Sequence, residues 1–136
     1  MMRLPLLLST FLAFATPIMA FAGTPQTTAD LASKEFKQAY QAMISLPSWV
    51  KTAQATSVPV TIINIAGKPY ILGHMCRPHD CAAQQMEVVF AKDHSAAWGL
   101  LSIKDATSLK QNFLGSPDPE MQKALAKAYQ DNNPSD

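Results

Sequence analysis

Two cysteines, Cys76 and Cys81, stand with four residues between them, at the junction of two runs rich in β-branched and apolar residues. Joined, they close a six-residue ring that pins the ends of two strands together and limits how residues 77–80 can move. The compartment decides whether they join, and the N-terminus speaks to that. Arg3 gives a positive start, and Leu4 to Ala15 is an apolar run broken only by Pro5, Ser9 and Thr10. Ala20-Phe21-Ala22 then supplies a small-x-small cleavage pattern. Residues 1–22 therefore read as a signal peptide, and Pro17 and the missing charged flank after Ala22 argue against a retained anchor. Two cysteines in an exported chain are most simply one disulfide. Loop-closure entropy gives so short a ring about 2 kcal/mol. A redox dithiol of the thioredoxin kind has two residues between its cysteines, not four.

Cleavage before Gly23 leaves residues 23–136, a length that suits one domain with a single modest core. The formal net charge of the whole chain is +1. Arg3 lies in the signal, so the remainder balances to zero. Nucleic-acid binding rests on clustered positive charge, so no nucleic-acid partner is expected. No later stretch approaches the apolar length that spans a bilayer, and no membrane association is expected after cleavage. Periplasmic localisation is the expectation.

Leu31 to Ile44 reads as a helix, with Phe36, Ala39, Tyr40 and Met43 as its inner stripe. Pro47 ends it, and Trp49 and Val50 follow as core anchors. Val60 to Ile65 is β-branched at nearly every position, Ala66-Gly67-Lys68 offers a turn, and Tyr70 to Met75 runs apolar to the first cysteine: a β-hairpin. Gln84 to Ala91 gives a third strand, with Met86, Val88 and Phe90 on one face and Gln85, Glu87 and Val89 on the other. Ala97 to Ile103 gives a fourth. Asp105 to Leu114 fits either a short helix or an irregular fifth strand. Pro119 to Tyr129 reads as a second helix, capped by Asp118, with Met121, Leu125, Ala128 and Tyr129 inward. Residues 23–30 and 131–136 read as loose. The expected fold is α+β, a mainly antiparallel sheet of four or five strands flanked by an N-terminal and a C-terminal helix.

Nothing here assembles an enzyme. Histidines occur only at 74, 79 and 94, the cysteines are consumed, and no glycine-rich phosphate loop or zinc-protease pattern exists. His74, His79 and Asp80 could in principle meet at a metal, but their spacing matches no known ligand pattern; no metal and no cofactor is expected. The compact feature is Cys76-Arg77-Pro78-His79-Asp80-Cys81. Pro78 fixes its own φ and biases Arg77 away from helix. The tip then offers a donor, a titratable donor/acceptor and an acceptor. From the residues alone, such a loop is either a stiff projection for a partner's cleft or a braced turn whose polar groups face water.

The loop resembles the Cys-Lys-Pro-His-Asp-Cys signature of the Ivy family, periplasmic inhibitors of vertebrate (c-type) lysozyme. Leu46-Pro47-Ser48-Trp49-Val50 resembles that family's Leu-Pro-x-Trp-Val segment, and the first helix and strand order agree, so the resemblance covers roughly Leu31 to Asp105. It implies one Ivy-like inhibitor domain over 23–136, with c-type lysozyme as partner and no catalysis of its own. It makes Cys76, Arg77, Pro78, His79, Asp80 and Cys81 the inhibitory loop and His79 its key residue. Arg77 departs from the signature's lysine, keeping the charge but changing hydrogen-bond geometry. The resemblance also allows a homodimer. Two other readings stand beside it: a binding module for another peptidoglycan-cleaving enzyme such as a lytic transglycosylase, and a structural or interaction domain without lysozyme inhibition.

Overall fold

The computed structural model describes residues 23–43 and 46–135. The expected signal peptide and Ile44 lie outside the described residues. The elements in chain order are α1 (Thr28–Ser33), α2 (Lys37–Gln41), α3 (Ser48–Lys51), β1 (Thr56–Ser57), β2 (Thr61–Ile65), β3 (Lys68–Cys76), β4 (Gln84–Ala91), β5 (Ala97–Lys104), β6 (Leu109–Leu114) and α4 (Pro119–Asn132). The strands form one antiparallel sheet in the order β1-β3-β4-β5-β6, and β2 pairs with the first half of β3 on the edge that β1 continues. The architecture is thus the expected α+β sheet between N-terminal and C-terminal helices. The two-residue β1 is added to the five longer strands.

β4 runs through the centre and is buried on both faces. Met86, Val88 and Phe90 pack with Leu31, Phe36, Tyr40, Trp49 and Val50 from the N-terminal helices. On the other face Val89 and Leu100 meet Met121, Leu125 and Tyr129 of α4, with Ile65 beside them. Asp118 caps α4 by accepting from the Met121 N–H at 2.8 Å, and Pro119 occupies the first turn. Ala66 and Gly67, with φ of 49° and 79°, make the two-residue turn joining β2 to β3, the geometry that matches strand twist.

One local expectation is corrected and one open alternative is resolved. The single helix over 31–44 is two short ones, interrupted after Ser33. The Phe36 N–H reaches the Leu31 C=O at 2.9 Å, one residue beyond an α-helical bond. In a continuous helix five residues would turn Leu31 and Phe36 to different faces; the break lets both point into the core. The stretch 105–114 resolves into a turn and a true strand, since β6 pairs with β5 from Lys104↔Leu109 to Gly99↔Leu114. Helical residues also reach into both end segments. Thr27 and Asp30 cap α1 reciprocally, and α4 runs three residues past Tyr129. Thr28, fully buried, donates to the His74 C=O at 3.1 Å and fills the space a β-carbon at Gly73 would need.

Among the described residues no helix is long and apolar enough to cross a membrane.

Candidate functional site

β3 and β4 deliver the cysteine loop to one end of the sheet. Cys76 is the last residue of β3, pairs in register with Gln85 and is 4% exposed; Cys81 lies outside the strands and is exposed. The two form a disulfide with Cα atoms 4.8 Å apart, so the ring is closed as the sequence implied. Between them the Asp80 N–H donates to the Arg77 C=O at 3.0 Å, closing a four-residue turn with Pro78 and His79 in its middle. His79 has φ +63°. Proline followed by a left-handed residue is the pattern of a type II turn, and histidine is among the non-glycine residues enriched in that conformation. Arg77, Pro78 and His79 are exposed, while Asp80 is half-buried.

The base of the loop is tied at several points. Arg77 N–H donates to the Gln84 C=O at 3.0 Å, and Gln84 N–H donates to the Asp80 C=O at 2.9 Å. Asp80 Oδ2 accepts from Gln84 Nε2 at 3.1 Å and lies 3.5 Å from Arg77 Nη1. The Gln84 side-chain oxygen, Oε1, in turn accepts from the Trp49 indole N–H at 3.3 Å. Trp49 is packed in the N-terminal core as read, and its one polar atom also faces the loop. Sequence reasoning did not find Gln84. It sits in a Gln-Gln pair at the start of a strand, and nothing in its neighbours marks it.

The remaining histidines go elsewhere. His74 stands across from Glu87 in the β3–β4 register, with Nδ1 2.7 Å from Glu87 Oε1. Asn132 of α4 donates to the same oxygen at 3.0 Å. Glu87 is 1% exposed, and its Oε2 has no partner among the described residues. Gln85 and Asn133 exchange reciprocal amide bonds at 2.8 and 3.0 Å beside them. This polar set fastens α4 to the sheet. The His94 ring rests on Phe36 with centroids 4.4 Å apart. Among the described residues no three His, Cys, Asp or Glu side chains gather as metal ligands would.

The loop thus displays an imidazole on a ring-closed turn braced from the sheet. The chain belongs to the family described as Inhibitor of vertebrate lysozyme (Ivy), whose model matches residues 34–130. That match runs well past Asp105 and takes in β6 and most of α4. Among its relatives, an inhibitor of vertebrate lysozyme from Pseudomonas aeruginosa is 39% identical over 69 residues, 48% of this chain and 45% of the relative; the match thus spans less than half of that protein. An uncharacterised protein of Yersinia pestis is 30% identical over 117 residues, 76% of each chain. An inhibitor of vertebrate lysozyme from Escherichia coli K12 is 28% identical over 110 residues, 78% of this chain and 69% of the relative.

Proposed function

We propose that this protein is a periplasmic inhibitor of c-type lysozyme that works by inserting the Cys76–Cys81 loop into the active-site cleft. The observation that carries the reading is the placement of His79, exposed at the corner of a turn closed by a disulfide and tied at its base to β4. A retaining glycosidase cleft holds two carboxyl groups about 5 Å apart, one protonated and one ionised. An imidazole between them hydrogen-bonds to both through its two ring nitrogens and fills the space that the scissile sugar needs. Arg77 adds attraction for an acidic cleft. Asp80 faces inward and serves the loop itself. Because the ring is already closed, little ordering cost opposes insertion. The disulfide also suits an oxidising compartment outside the cytoplasm.

The test is the inhibition constant against a c-type lysozyme for the wild type, His79→Ala and His79→Asn, with circular dichroism as the check on folding. Asparagine tolerates the left-handed backbone of residue 79, so its loss reports the ring rather than the turn. Both variants are expected to stay folded and lose most inhibition. Full inhibition by a folded His79→Asn would reject the plug.

A further inference from the structure

We propose that Gln84 is the positioning residue for the loop, coupling it to the core through Trp49; the proposal rests on the loop-insertion reading above. Gln84 meets the loop with its backbone N–H, its backbone C=O and its side-chain amine, at 2.9, 3.0 and 3.1 Å. Its side-chain carbonyl faces the other way, toward the Trp49 indole at 3.3 Å. The two neighbours dictate the chemistry. Trp49 can only donate and the Asp80 carboxylate can only accept, so the group between them must accept at one end and donate at the other. A primary amide does both. Its orientation is also settled, since a flipped amide would set N–H against N–H and oxygen against carboxylate.

The consequence runs outward. Asp80 Oδ2, held by Gln84, also faces Arg77 Nη1, so both ends of the turn that carries His79 are fixed against one amide. That amide is anchored by an indole that is 8% exposed and packed among the N-terminal core residues. The disulfide closes the ring; Gln84 sets the angle at which the ring leaves the sheet. The Leu46-Pro47-Ser48-Trp49-Val50 stretch, distant in sequence, thereby contributes through Gln84 to a loop it does not touch.

Gln84→Glu gives the sharpest test, because its effect must depend on pH. As a carboxylate it repels Asp80; once the pair shares a proton it accepts from Trp49 and donates to Asp80 much as the amide did. Gln84→Leu keeps similar bulk and removes both bonds. The measurements are inhibition of a c-type lysozyme at pH 5 and pH 8, each relative to the wild type at that pH, and NMR backbone order parameters of Arg77, His79 and Asp80 in the free protein. Circular dichroism confirms the fold. Gln84→Leu is expected to loosen the three amides and weaken inhibition by up to about tenfold at both pH values. Gln84→Glu should do so at pH 8 and recover most of the loss at pH 5. Trp49→Phe, which keeps a ring and removes the N–H, should shift both readouts in the same direction. Unchanged order parameters in folded Gln84 variants, or a Gln84→Glu defect equal at both pH values, overturns the proposal. Should the wild type fail to inhibit, the functional reading falls, and the order parameters alone still decide the role of Gln84.

Discussion

Two tight turns lie side by side at one end of the sheet, linked by the Lys104 N–H donating to the Ala83 C=O at 2.8 Å. They are stiffened by opposite means. The turn after β5 is held by its own carboxylate: Asp105 accepts from the Thr107 N–H and hydroxyl and from the Ser108 N–H and hydroxyl, at 2.8 to 3.0 Å. Those bonds, led by the one from the Thr107 backbone, hold its pKa down at about 2. The cysteine loop is held from behind, by a disulfide and by Gln84 with Trp49 at its back. A turn that braces itself spends its polar groups inward. One braced by the domain keeps Arg77 and His79 exposed at the surface. Under the proposed reading, what suits the cysteine loop to recognition is not rigidity alone but bracing that comes from outside the turn.

The largest effect that separates the two should come from His79. His79→Asn is expected to raise the inhibition constant roughly thirtyfold or more, the scale of a central interface residue, and to leave the melting temperature unchanged. Replacing both cysteines by serine comes next. It should lower stability by about 2 kcal/mol in chemical denaturation and weaken inhibition as the loop regains freedom; unchanged affinity would remove the preorganisation argument. Gly73→Ala is the control that spares both turns, since a β-carbon there collides with Thr28. It should cost about 1–3 kcal/mol, read in the same denaturation series, with inhibition retained in whatever fraction stays folded.

Asp105→Ala should be the smallest change, with a modestly lower melting temperature and no change in inhibition. Its signature is in pH. The carboxyl titrates near 2 folded and at about 3.9 unfolded. The stability it adds is therefore complete above the unfolded value and is lost as pH falls through about 4 toward 2. The gap in melting temperature between wild type and Asp105→Ala should close over that interval. Loss of inhibition in Asp105→Ala would show that the second turn also meets the target.

The strands that carry the loop were readable because their signals are local. The β-branched run 61–65 and the cysteines bracket the hairpin, and Gln84 to Ala91 matches β4 to the residue. Legibility fails where a partner decides. Phe36, Tyr40 and Met43 are core residues and Ala39 packs half-buried against them, as the helical stripe suggested, but Leu31 joins them across a five-residue step that is accommodated only by breaking the helix. β6 is exposed along its length apart from a half-buried Leu114, so it has no inward face to betray its period, and its pairing with β5 makes it a strand. The candidate loop was legible from its cysteines, proline and histidine. Its support was not, because Trp49, Asp80 and Gln84 converge only once the sheet is formed.

The unequal burial of the two cysteines sets how the loop would come undone. Cys81 stands in the open and Cys76 is sealed at the end of β3. An incoming thiolate meets the outer sulfur first and forms a mixed disulfide there, so the bond electrons leave with the inner one. Cys76 then stays in register with Gln85 as a buried thiol. Reduction would slacken the tip and cost the domain the loop-closure stabilisation of about 2 kcal/mol, while the β3–β4 pairing that positions the loop stays in place.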